Sequence, residues 1–130
     1  MPPAVDVLLI EDNALDIKLF RTLLEDTGGL TVHPCSHADE AFAWLRDHKP
    51  RIIHTDVMLP EISGWEIIEQ LKRSAETRDI PIIVVTAGGL SVARANSALQ
   101  LVEAALVKPI WPAGYLKTVQ SILANASSQA

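Results

Sequence analysis

Five short apolar runs alternate along this chain with five stretches whose apolar residues recur every three or four positions, and few folds satisfy that pattern. The strand-like runs are Val5–Ile10, Leu30–Cys35, the segment starting at Ile52, Ile82–Thr86 and Ala104–Val107. IIVVT, residues 82–86, is the most β-branched of them. Between them lie helical stripes carrying Ile17, Phe20, Leu23 and Leu24; Ala41, Phe42 and Leu45; Ile67, Ile68 and Leu71; Val92, Ala95, Leu99 and Val102; and Leu116, Val119, Ile122 and Leu123. Gly28-Gly29 ends the first helix, Lys49-Pro50 the second, and Pro112 suits the first turn of the last. Short apolar strands alternating with amphipathic helices imply a parallel α/β sheet covered on both faces. Its crossovers are right-handed, so every strand's C-terminal end lies along one edge, where open sheets of this kind bind ligands.

Composition narrows the function classes. A chain of 130 residues fits one domain with a real core. No apolar run approaches the roughly 18 residues a membrane helix needs, and MPPAVDVLLI has no basic flank or cleavage site of a signal peptide. One cysteine, Cys35, rules out an internal disulfide and fits a reducing compartment, with the cytoplasm as the expected location. The net charge of −5 comes without any Lys/Arg block, which argues against nucleic acid as a partner. No GxGxxG turn or GxxxxGK[ST] loop is present, so dinucleotide and P-loop chemistry are not expected.

The strand ends carry the chemistry. Glu11 and Asp12 follow the first strand, Asp56 ends the third, Thr86 ends the fourth and Lys108 follows the fifth. Crowded carboxylates repel and raise one another's pKa. A hard divalent cation relieves that conflict, and Mg²⁺ suits a site of few carboxylates and several waters. Asp56 then reads as a nucleophile for phosphorus, with Thr86 and Lys108 placed to hold phosphoryl oxygens. Each carboxylate alone would be an ordinary solvated side chain at a loop start. The whole set on one edge is a site.

Four blocks, LLIEDN (8–13), TDVMLPEISGWE (55–66), IIVVTA (82–87) and VKPI (107–110), closely resemble the receiver domain of bacterial two-component response regulators, from about Val5 to Ala124. The resemblance implies a flavodoxin-like, doubly wound (βα)5 fold with a five-stranded parallel sheet in the order 2-1-3-4-5. It implies a single receiver domain over residues 1–130, with a core at about 5–124 and a polar, frayed tail at 125–130. By position, Asp56 would be the phosphoacceptor, and Glu11, Asp12, Asp56 and the Met58 backbone carbonyl would hold Mg²⁺. Thr86, with Ala87 beside it, and Lys108 would bind the phosphoryl group, Lys108–Pro109 would be cis, and Gly64 would serve the turn after the third strand. The donor would be a histidine kinase or a histidine phosphotransfer protein. A downstream protein would read the face of the fourth helix, fifth strand and fifth helix, which could also form a homodimer. Such a chain is a switch, not an enzyme.

Several positions depart from that pattern. Ala105 stands three residues before the lysine, where receivers carry the Tyr or Phe that follows the threonine on phosphorylation. This motivates a rival reading as an interaction or dimerisation module that needs no phosphate, and a receiver excised from a hybrid kinase would look the same as a stand-alone switch. Trp111 is read as an aromatic packed at a helix start. His54 is either a proton-sensitive neighbour of the acidic pocket or a neutral, hydrogen-bonded core histidine, and the second reading is preferred. Arg51 reads as a solvated strand start. Met58 and Gly88 cannot position a water for attack on an acyl phosphate, so slow self-dephosphorylation is expected.

Overall fold

The computed structural model describes residues 5–57, 59, 62–86 and 99–128. Among them, β1 (Val7–Ile10), β2 (Val32–Cys35), β3 (Ile52–Asp56), β4 (Ile82–Thr86) and β5 (Ala104–Val107) form one parallel sheet in the order β2-β1-β3-β4-β5. The helices are α1 (Ala14–Arg21), α2 (Ala38–Leu45), α3 (Gly64–Arg73) and a last helix, α4 (Pro112–Ser128). Of the fourth expected stripe, Val92 and Ala95 lie outside the described residues. Leu99 falls in a short 3-10 turn, Leu99–Leu101, and Val102 packs against the core.

Burial follows from strand order. β1, β3 and β4 are flanked by strands and covered on both faces, so all their residues are buried. The edges are less so: β5 alternates, with Ala104 and Leu106 packed inward and Ala105 and Val107 exposed. Pro34 is tolerated within β2 because an edge strand has ladder partners on one side only. The sheet separates two apolar layers. Leu8, Ile10, Ile53, Ile82 and Val84 pack under α2 and α3 with Ile67, Ile68 and Leu71. Val7, Leu9, Ile52, Ile83 and Val85 pack under α1 and α4 with Phe20, Leu24, Val119 and Leu123. Each such side chain contributes about 1.5–3 kcal/mol by leaving water.

Element ends differ from the sequence reading for local reasons. β1 and β2 begin two residues late because the N–H groups of Asp6 and Thr31 bond each other's side chains, although their carbonyls still accept the Ile52 and Val7 N–H groups. The Thr31 N–H donates to Asp6 Oδ2, and the Asp6 N–H donates to Thr31 Oγ1, both at 2.9 Å. Arg51 is not merely solvated, since its Nη1 pairs with Asp6 Oδ1 at 3.1 Å. α2 stops at Leu45, where the Arg46 N–H turns to the Ala43 carbonyl. α1 continues as a π-helix, Thr22–Thr27, before Gly29 takes φ 66° and stops it. The C-terminal tail is a correction: α4 runs to Ser128, so the polar stretch begins inside a helix. No helix among the described residues is long and apolar enough to cross a membrane.

Candidate functional site

The fold delivers the strand-end residues to one edge. Leu9 is in register with His54, and Asp56 with Val85, so the ends of β1, β3 and β4 lie side by side. Glu11 leaves β1 still bonded to its neighbour, its N–H donating to the Cys35 carbonyl at 3.0 Å. Asn13 then caps α1, its side chain accepting from the Asp16 N–H at 3.0 Å. Ser63 caps α3 in the same way through the Trp65 N–H. The Thr86 carbonyl accepts the Lys108 N–H at 2.7 Å, tying the end of β4 to the loop that presents the lysine. The Lys108–Pro109 peptide bond is cis.

Lys108 is the hub. Its ammonium lies 3.0 Å from Asp56 Oδ2, 3.6 Å from Glu11 Oε2 and 2.7 Å from Asp16 Oδ2. Burial alone would lower the Lys108 pKa, but hydrogen bonds to Asp16 and Asp56 and the charges of Glu11 and Asp56 outweigh it and hold the group above its ordinary value. Asp56, Thr86 and Glu11 are buried. Burial, and then the adjacent Asp56 carboxylate, push Glu11 up to about 7, against the opposing pull of the Asn13 backbone and Lys108.

The donor set can be tested against a divalent cation. Glu11 Oε2 is buried with no hydrogen-bond partner, and Asp56 lies beside it. Two hard carboxylates under mutual repulsion are what Mg²⁺ uses when waters complete its shell. Asp12 is exposed, and among the described residues no three His, Cys, Asp or Glu side chains gather into a metal-holding group. Glu11 and Asp56 are therefore the buried pair of the three carboxylates. Met58, Ala87 and Gly88 lie outside the described residues.

Other expectations resolve clearly. His54 is fully buried, and burial pushes its pKa down to about 3, with Asp56 opposing and Lys108 adding to the effect. It is the neutral core histidine of the preferred reading. Its Nδ1 lies 2.7 Å from the Tyr115 hydroxyl, and Phe20 packs edge-on to the imidazole at 4.5 Å. Tyr115→Phe keeps the ring and removes that bond, so it should cost about 1–3 kcal/mol in denaturant unfolding. Trp111 does not pack at the helix start; it is 83% exposed. Gly64 opens α3 and closes the turn after β3, its N–H donating to the Val57 carbonyl at 2.9 Å. Sequence reasoning missed Asp16 as a partner of Lys108. Its one signal was its place in the first turn of α1, close after the acidic pair, where an acidic residue usually only favours the helix dipole.

An edge of carboxylates around one lysine, on a 2-1-3-4-5 sheet, defines a class. Residues 7–120 match the model of the response regulator receiver domain, and the chain belongs to that family: a signalling module of two-component systems, not an enzyme. Among individual proteins, it is similar to the polar-differentiation response regulator DivK of Brucella ovis, 38% identical over 120 residues, or 92% of this chain and 97% of the relative. In structure it resembles a CheY-like receiver domain protein from Methanospirillum hungatei JF-1 (20% identity, TM-score 0.87, 98% of this chain and 100% of the other). It also resembles the receiver domain of sensor histidine kinase PA1611 from Pseudomonas aeruginosa PAO1, crystallised with magnesium in its active-site cleft (24% identity, TM-score 0.81, 94% and 99% covered).

Proposed function

We propose that the protein is a phosphoryl-accepting switch and that Asp56 is the acceptor. The supporting observation is the buried Asp56 carboxylate held 3.0 Å from Lys108, beside a buried Glu11 oxygen that has no hydrogen-bond partner and lies 3.6 Å from the same ammonium. A histidine kinase or a histidine phosphotransfer protein presents phosphohistidine. An Asp56 oxygen attacks phosphorus in line, the P–O bond forms as the P–N bond breaks, and the electron pair returns to the leaving imidazole nitrogen, which takes a proton. Glu11 and Asp56, with Asp12 at the rim, are the residues that would hold Mg²⁺. When bound, the cation neutralises charge developing on the phosphoryl oxygens, and the magnesium seen in the PA1611 receiver favours this assignment. Lys108 supplies the protein's own positive charge to the same oxygens, and the Thr86 hydroxyl serves as the second donor.

The new dianion draws Thr86 and Lys108 toward Asp56 and so moves the ends of β4 and β5. A downstream protein, or a second copy of the chain, reads the change at the β5 edge, where Ala105 and Val107 are exposed. The test is incubation with phosphoramidate and Mg²⁺ followed by intact-mass measurement. Wild type should gain one phosphoryl group, and Asp56→Asn none; equal labelling of both refutes the assignment. The lifetime of the adduct tests the slow decay expected from Met58 and Gly88, and loss within seconds refutes it.

A further inference from the structure

Lys108 faces more negative charge than phosphate chemistry needs. Three carboxylates approach one ammonium, and the shortest contact, 2.7 Å, is to Asp16 rather than to Asp56. Asp16 is also fixed in place. It sits in the first turn of α1, with its N–H bonded to the capping Asn13 side chain. Its backbone is therefore anchored at the start of α1, and only the short side chain can adjust when the lysine moves. The Asp16 and Asp56 oxygens share one ammonium, so they stand no farther apart than those two contacts laid end to end. A phosphoryl group on Asp56 adds a dianion that draws on the same ammonium. The ammonium has only three N–H donors to divide among Asp16, Glu11 and the phosphoryl oxygens. Either it keeps Asp16 and serves the phosphoryl oxygens poorly, or it turns to them and leaves Asp16 unpaired and repelling the dianion.

We infer that Asp16 is a positioning residue that competes with the phosphoryl group for Lys108 and thereby sets how strongly the phosphorylated state is favoured. It touches no reacting atom; it acts through the lysine and through its own charge. The inference rests on Asp56 being the acceptor. Asp16→Asn is nearly isosteric, keeps the backbone bond to Asn13 and removes only the charge, whereas Asp16→Glu restores the charge on a longer arm.

The experiment titrates wild type, D16N and D16E with beryllofluoride, which adds to a carboxylate as a phosphoryl mimic, in saturating Mg²⁺, with bound fluoride read by ¹⁹F NMR. D16N should bind roughly three- to ten-fold tighter than wild type, the size of one partly screened charge nearby, and D16E should lie within about twofold of wild type. In the same samples without beryllofluoride, the Lys108 ammonium protons should exchange with water several-fold faster in D16N. A helix-packing role would not move that signal. D16N affinity within about twofold of wild type, or unchanged ammonium exchange, overturns the inference while leaving the acceptor assignment intact. Wild type that neither binds beryllofluoride nor gains mass from phosphoramidate overturns both.

Discussion

Gly64→Ala is expected to cost 3 kcal/mol or more and to lower the thermal midpoint by on the order of 10 °C. Gly64 is the first residue of α3 and lies directly on the backbone that carries the acceptor. A Cβ there would stand 2.7 Å from the Val57 Cα and collide with the Asp56 carbonyl oxygen. Backbone cannot rotate away as a side chain can, so either α3 lifts or the segment after β3 shifts, and both lose the 2.9 Å bond from the Gly64 N–H to Val57. The strain falls one peptide from Asp56, so phosphoramidate labelling should weaken even in the fraction that stays folded. Gly114→Ala is the matched control. Its added Cβ meets only the Trp111 Cβ at 3.8 Å, in an exposed turn of α4, and should stabilise by about 0.5–1 kcal/mol. Equal melting temperatures for Gly64→Ala and wild type would show that the two backbones are farther apart than described.

The second large effect is the pH dependence of the metal-free protein. Glu11 is held near 7 in the fold against an ordinary 4.5. A carboxyl raised in the folded state stabilises fully below its unfolded pKa, and that contribution fades as pH rises through the folded one. The window is therefore about pH 4.5 to 7, and the loss across it is on the order of 2–3 kcal/mol. Denaturant unfolding in EDTA should show a protein more stable at pH 5 than at pH 8. Glu11→Gln, which cannot ionise, should flatten this slope and be the more stable form at pH 8. Millimolar Mg²⁺ should restore wild type at pH 8 far more than it helps Glu11→Gln. A flat wild-type profile without metal would mean that the Glu11 carboxyl is well solvated.

Sequence patterning made β4 and β5 legible to the residue, because an unbroken β-branched run after Pro81 and a short apolar run between Glu103 and Lys108 leave little choice of ends. The site was legible as a set because its members all end strands or follow them, and a parallel sheet must bring strand ends together. What it hid depends on distance or on side-chain direction. Asp16 looks like an ordinary first-turn acid until the fold carries Lys108 to it from 92 residues away. The Tyr115 hydroxyl that makes His54 a core residue comes from 61 residues on. Trp111 misled because large aromatics before a helix usually find apolar cover, and this one does not. The late starts of β1 and β2 turn on a side-chain bond between Asp6 and Thr31, to which apolar periodicity is blind.

The exposure of Trp111 makes the chain its own optical reporter. Its three indoles occupy three settings: Trp65 is enclosed at the start of α3, Trp44 is stacked between the imidazoles of His33 and His48, and Trp111 stands in water just past Pro109. Emission should thus combine a blue component from Trp65 with a red one from Trp111, and a water-borne quencher such as iodide reaches the red one. A protein docking over the loop beyond Lys108 would shield that indole and shift the spectrum, so complex formation can be followed by fluorescence without attaching a dye.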